Sequence, residues 1–218
     1  VTTTLSTSPA KTEPGLRVRA DVLARRAVTL AVGAQLVLCY LTVVLWRQVD
    51  LFRDPVSDYA FFPAGRVWFV VAILLVLLAG LVLVSAMNQA GLVRATRTNV
   101  LFGLWAAGLF LVAVFQGNRA ADDPTLHGEI HRFGGALFLT CLPLACWTLA
   151  TTLAGNPLWT SAARLVRRLS VVGMITAASF GLAQIAPALP EGILERFALT
   201  AELLLLVAVA ATVRRAAR

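Results

Sequence analysis

Six apolar runs, each close to the roughly 20 residues that carry a helix across a bilayer, alternate with short polar connections along the chain. They are Ala27–Trp46, Val67–Met87, Asn99–Gln116, Phe133–Leu153, Leu169–Pro187 and Ile193–Val213. The runs are rich in Ala and Leu, too long for barrel strands, and they lack the strict alternation such strands need. The pattern predicts an all-α, polytopic membrane protein: a single bundle of six transmembrane helices over residues 27–213. Residues 1–26 read as a cytoplasmic segment, disordered in its Thr/Ser/Pro-rich start and basic from Leu16 to Arg26, where it suits an anionic inner leaflet. Because the first apolar run begins only after four arginines, it reads as a retained span and not as a secretion signal. Residues 214–218 form a basic cytoplasmic tail.

Composition excludes a soluble fold, since 59% of the residues are hydrophobic and only 14% charged. The net charge of +8 does not point to nucleic acid, because the basic residues flank the spans and do not line one soluble face. Placing the amino terminus inside puts Lys11, Arg17, Arg19, Arg25, Arg26, Arg94, Arg97, Arg164, Arg167, Arg168, Arg214, Arg215 and Arg218 in the cytoplasm. Only Arg47, Arg53, Arg66, Arg119, Arg132 and Arg196 of the 19 basic residues are then outside, as the positive-inside rule requires. The acids divide the opposite way, with Asp50, Asp54, Asp58, Asp122, Asp123, Glu129, Glu191 and Glu195 outside and only Glu13 and Asp21 inside. Both termini are therefore expected in the cytoplasm. Cys39, Cys141 and Cys146 all lie in apolar runs and read as packing residues.

The connections carry the local signals. The first outer loop, Arg47–Arg66, spaces Asp50, Asp54 and Asp58 by four, but Pro55 disfavours helix at Asp54. A turn is expected there, with Ser57 or Asp58 capping a short helix. Trp46, Phe52, Phe61, Phe62 and Trp68 ring the loop as an interfacial belt would, which predicts that it lies flat on the membrane. Gly91 can end the second helix and Ser161 can cap the fifth. Small residues at Gly103 and Ala107, and at Gly173, Ala177 and Gly181, offer faces for close helix approach, and Pro143 is expected to kink the fourth span.

Candidate chemistry gathers at the outer ends of the spans. LHGEIHRFGG, Leu126–Gly135, holds both histidines, and the acidic DDP at Asp122–Pro124 is a plausible stop before its helix. His127 and His131 share one helix face. They could bind one zinc ion if Asp54, Asp58 or Glu195 completed the coordination, although no cofactor is required by the sequence and HExxH is absent. Glu202 is the one charge well inside an apolar run, where a carboxylate is costly and is normally kept for a partner or a pathway. Gln116 and Gln184 end their helices on the same side. Together these residues suggest an outward-facing polar mouth formed by Asp54, Ser57, Asp58, Tyr59, Gln116, His127, His131, Arg132, Gln184, Glu195, Arg196 and Glu202. Arg132 or Arg196 is expected in salt-bridge reach of an acid from another segment, most plausibly Asp58 or Glu195, because a partly buried charge needs a partner.

The segment DPVSDYA after the first span, the HR pair opening the fourth and GILERF entering the sixth resemble the bacterial membrane family known as domain of unknown function 998. The resemblance runs from about Val28 to Val213. It implies a multi-pass protein of the bacterial plasma membrane, with Ser57, Asp58, His131, Arg132, Glu195 and Arg196 as the motif-matching positions, and it implies no activity. Two functional classes stay open: binding, transport or accessory handling of a lipid headgroup or small polar ligand, or a metal-dependent hydrolase of membrane lipids. Membrane lipids are the expected partners. Whether the protein is an enzyme, and its oligomeric state, are not set by the sequence.

Overall fold

The computed structural model describes residues 14–92, 96–119, 124–186 and 188–218. The Thr/Ser-rich start, Arg94, the acidic stop at Asp122 and Asp123, and Pro187 lie outside them. Six helices follow one another: α1 (Pro14–Val44), α2 (Pro63–Gln89), α3 (Thr96–Val114), α4 (Leu126–Ala154), α5 (Thr160–Ala183) and α6 (Glu191–Ala216). All six are long and apolar enough to cross a membrane, and the described residues contain no strand. The chain is thus a multi-pass, all-helical membrane protein. α1 packs against α2 and α6, while α4 packs against both α3 and α5.

α1 begins well before the first apolar run, so Leu16–Arg26 does not lie apart on the leaflet but continues the helix. Ala20, Ala24 and Ala27 are buried along it. Asp21 accepts from Arg25 at 2.8 Å and from Arg214 of α6 at 3.1 Å. The Asp21–Arg214 pair joins the first and last helices at the end of the bundle where α1 begins and α6 ends. α2 ends as the sequence predicts: Gly91 takes φ +67°, and Leu92 N–H donates to Met87 O at 3.0 Å while Gly91 N–H donates to Asn88 O at 3.1 Å. These two bonds make a Schellman motif, which needs the left-handed residue that glycine supplies.

Close packing uses only part of the small-residue pattern. Gly103 and Gly181 have open space where a Cβ would stand, whereas Gly173 lies against the Pro143 ring, its Cβ position 2.9 Å from Pro143 Cγ. α4 runs through Pro143 as one helix. A close crossing that the spacing does not reveal is Gly108 of α3 on Gly134 of α4, where an added Cβ at Gly108 would meet Gly134 O at 2.6 Å. At α5, Ser161 does not cap; Asn156 instead accepts from Leu158 N–H at the short 3-10 helix Pro157–Trp159 that leads into the span.

The first loop also departs from the sequence reading. It forms a short 3-10 helix, Val56–Phe61, with Ser57 and Asp58 inside it and not at its cap. The loop does not lie flat, because Val49, Val56 and Tyr59 are buried against the bundle. Trp46, Phe52 and Trp68 remain exposed, as an interfacial belt requires.

Candidate functional site

The first loop is folded onto the bundle by one side chain. Arg196, one turn into α6, donates through Nη1 to the carbonyls of Leu51 at 3.1 Å, Asp54 at 2.9 Å and Gly192 at 2.9 Å, and through Nη2 to the Tyr59 hydroxyl at 3.0 Å. Tyr59 in turn meets the Thr42 hydroxyl of α1 at 2.9 Å. The planar guanidinium suits this role because its fixed fork can serve several carbonyls at once. Two glycines admit the arrangement: a Cβ at Gly192 would stand 2.4 Å from Asp54 O, and one at Gly65 would stand 2.1 Å from Tyr59 O. Asp50 holds the start of the turn by accepting from Phe52 N–H at 2.8 Å, and Asp54 accepts from Asp50 N–H at 2.7 Å.

The second connection is tied in the same manner. Thr125 caps α4 by accepting from Gly128 N–H at 3.1 Å and donates its hydroxyl to Asn118 Oδ1 at 2.6 Å. His131 Nδ1 lies 2.8 Å from Phe115 O; a carbonyl only accepts, so this nitrogen carries the proton and, in the neutral ring, Nε2 is left as an acceptor. His127, on the same face, packs its ring against the Phe115 ring at 5.7 Å.

Between these two fastenings opens a cavity of about 300 Å³. Leu38, Phe69, Ile73, Leu109, Phe138 and Phe180 are among its apolar walls. Ser57, Asn118, His131, Arg132, Gln184, Glu191 and Glu195 line its polar end, with Thr140 deeper. From His131 to Thr140 the helix rises about 14 Å, so the cavity reaches from the loop end to roughly the middle of a 30 Å hydrocarbon core. Glu195 accepts from the Val56 N–H of the loop, and Glu191 accepts from Gln184 Nε2 at 2.6 Å.

Of the residues the sequence singles out, Ser57, His131, Arg132, Gln184 and Glu195 line this cavity. Asp54, Asp58, Tyr59, Gln116, His127, Arg196 and Glu202 do not. Asp54, Tyr59 and Arg196 belong to the loop fastening, and Gln116 reaches only Ala60 O, at 3.5 Å. Asp58 stands beside the cavity: burial, reinforced by the charges of Asp54 and Glu191, raises its carboxyl from 3.8 to about 7, against the opposing pull of Arg119 and Arg196. Among the described residues no three His, Cys, Asp or Glu side chains are grouped so as to hold a metal ion.

The expected pairing of Arg132 or Arg196 with Asp58 or Glu195 is not found. Arg196 satisfies its charge on carbonyl oxygens and a phenol, and Arg132 pairs with Glu129 of its own helix at 3.5 Å, with 60% of its side chain exposed. Carbonyls could replace a carboxylate because three of them converge where the loop crosses α6. Glu202 has a different partner again. It is 2% exposed and accepts from Trp105 Nε1 of α3 at 3.0 Å. Trp105 abuts Gly80, where a Cβ would come within 2.0 Å of its ring, and it packs against Phe138 at 6.5 Å. Phe138 also lines the cavity, so Trp105 and Phe138 stand between Glu202 and the cavity. Sequence reasoning missed Asn118, Thr140 and Glu191 in the lining, and Trp105 as the donor. A buried carboxylate needs a donor at its own depth, and Trp105 is the mid-span side chain of α3 with an N–H to offer.

The model of the family described as "Protein of unknown function (DUF998)" matches residues 29–212. No curated protein and no solved structure matches the chain.

Proposed function

The chain belongs to that family of membrane proteins, DUF998, and we propose that its cavity binds an amphiphile, with the headgroup at the polar mouth and the hydrocarbon chain along the apolar shaft. The observation that carries this reading is the gradient within one continuous space. Ionisable and amide side chains occur at one end only, Phe and aliphatic side chains continue beyond them, and the change follows the direction of a bilayer leaflet. About 300 Å³ over about 14 Å of depth gives a mean section of about 20 Å², the scale of one extended hydrocarbon chain. On the positive-inside reading the mouth faces away from the cytoplasm. The role is then binding, transport or accessory handling of a lipid-like molecule taken from the outer leaflet of a plasma membrane.

Gly181 supplies the test, because it lines the cavity and a Cβ added there meets nothing within 4 Å. Gly181→Phe places a bulky ring at the cavity wall on a Cβ that has room to stand. Purified full-length protein in maltoside micelles, incubated with dodecanol and released for native mass spectrometry, is expected to carry one adduct that the filled variant loses while its melting temperature is kept. Equal adducts on both proteins would remove the cavity from consideration.

A further inference from the structure

His131, Gln184, Glu191 and Glu195 spend part of their hydrogen-bonding capacity within the protein and each keeps an acceptor, while the neutral donors left at the mouth are the Ser57 hydroxyl and amide N–H groups of Asn118 and Gln184. His131 spends its Nδ1 proton on Phe115 O, so Nε2 remains an acceptor. Gln184 spends an amide N–H on Glu191 Oε1 and keeps its carbonyl oxygen. Glu195 accepts one backbone N–H through Oε2, and Glu191 accepts one amide through Oε1. Neither carboxylate has a cation within ion-pair distance among the described residues. The nearby guanidiniums are otherwise engaged. Arg196 is committed to three carbonyls and a phenol, and Arg119 lies over the Phe61 ring and donates to Phe61 O at 3.5 Å. Arg132 is at the rim, mostly exposed and beside Glu129.

We infer that the mouth selects an amphiphile whose headgroup is a cation bearing N–H donors, a primary ammonium being the simplest. This deepens the amphiphile reading and rests on it. Such a headgroup supplies three donors and one positive charge to a site that offers two carboxylates, an imidazole nitrogen and an amide oxygen. Charge-assisted bonds to a desolvated carboxylate are the strong class, roughly twice a neutral bond. An anionic headgroup meets the opposite situation, since it would have to approach Glu191 and Glu195 while the N–H groups of Arg196, the guanidinium whose charge reaches Glu195, are already committed to neutral acceptors. A hydroxyl headgroup could use one acceptor and leave the charges uncompensated.

Three probes with the same twelve-carbon chain separate headgroup from cavity: dodecylamine, dodecanol and dodecanoate, each titrated into the full-length protein in neutral maltoside micelles and read by native mass spectrometry. Gly181→Phe subtracts adducts held outside the cavity. The amine is expected to bind about tenfold more tightly than the alcohol, and the carboxylate most weakly. Glu195→Gln keeps an oxygen for Val56 N–H while removing the charge, and Glu191→Gln does the same at the rim. Each should weaken the amine about tenfold and dodecanol several-fold less, because Gln keeps a neutral acceptor and loses only the charge. If dodecanol or dodecanoate binds as tightly as the amine, with adducts that Gly181→Phe still removes, the cation inference falls and the amphiphile reading stands. If no probe gives an adduct that Gly181→Phe removes, both fall.

Discussion

Glu195 and Glu202 stand two turns apart on α6, on nearly the same face, yet the bundle treats them in opposite ways. Glu202 is sealed under Trp105, which rests on Gly80 with no room for a side chain between them. Glu195 takes its hydrogen bond from a loop and keeps an open space in front of it. The difference comes from what faces each carboxylate. At the depth of Glu202, helices close up through glycine and a single indole N–H provides the bond. At the depth of Glu195 the partner is a connection, held off the helices by Arg196. A buried acid in a membrane helix is therefore not by itself a sign of function, because one with a fitted donor serves packing as well as binding.

The comparison predicts the largest effect at Trp105. Trp105→Ala should cost about 3 to 5 kcal/mol in detergent unfolding, since it leaves both a large cavity and an orphaned carboxylate. Trp105→Phe keeps most of the volume and should cost about 1 to 3 kcal/mol through the lost N–H alone. If Trp105→Phe unfolds with wild-type stability, Glu202 has no structural claim on the indole and the two acids are not distinguished as described.

Next in size is the loop fastening. Arg196→Ala strips four acceptors of their donor and is expected to cost about 2 to 4 kcal/mol and to release the 45–62 segment to proteolysis. Arg196→Lys should recover only part of this, because one ammonium cannot span the fork. Arg132→Gln, at an exposed pair on its own helix, should cost under about 0.5 kcal/mol. Equal losses at the two arginines would mean that the mouth is held by charge pairing after all.

The smallest effect is a pH dependence at Asp58. Its folded carboxyl holds the proton up to about pH 7, whereas the unfolded one releases it near 3.8. The folded state thus binds more protons between these values, and this contribution to stability falls as pH rises from about 4 to about 7, then levels off. Asp58→Asn should match the wild type at pH 4 and exceed it at pH 8, by at most about 1 kcal/mol once solvent screening of this half-buried group is allowed for. The melting-temperature difference between the two proteins at pH 4 and pH 8 measures it, and an identical difference at both would sink the assignment.

What could be read along the chain was whatever depends on the solvent and the local backbone. Runs near 20 residues must be helices in a bilayer because no water is there to satisfy their peptide groups, so the six spans and their single bundle were legible from Ala27 to Val213. Gly91 was legible because a left-handed helix end has few other residues to choose from. Family resemblance at DPVSDYA and GILERF was legible for the same reason, as short local strings. The rest needed the helices placed against one another. That Arg196 answers carbonyls and not Asp58, that Glu202 answers Trp105, and that Gly108 and not Gly103 marks a crossing are relations between residues far apart in the chain. Nothing in their local spacing encodes depth and rotation around the bundle. The cavity is the extreme case, since it is bounded by all six spans and two loops and exists only where their packing fails to close.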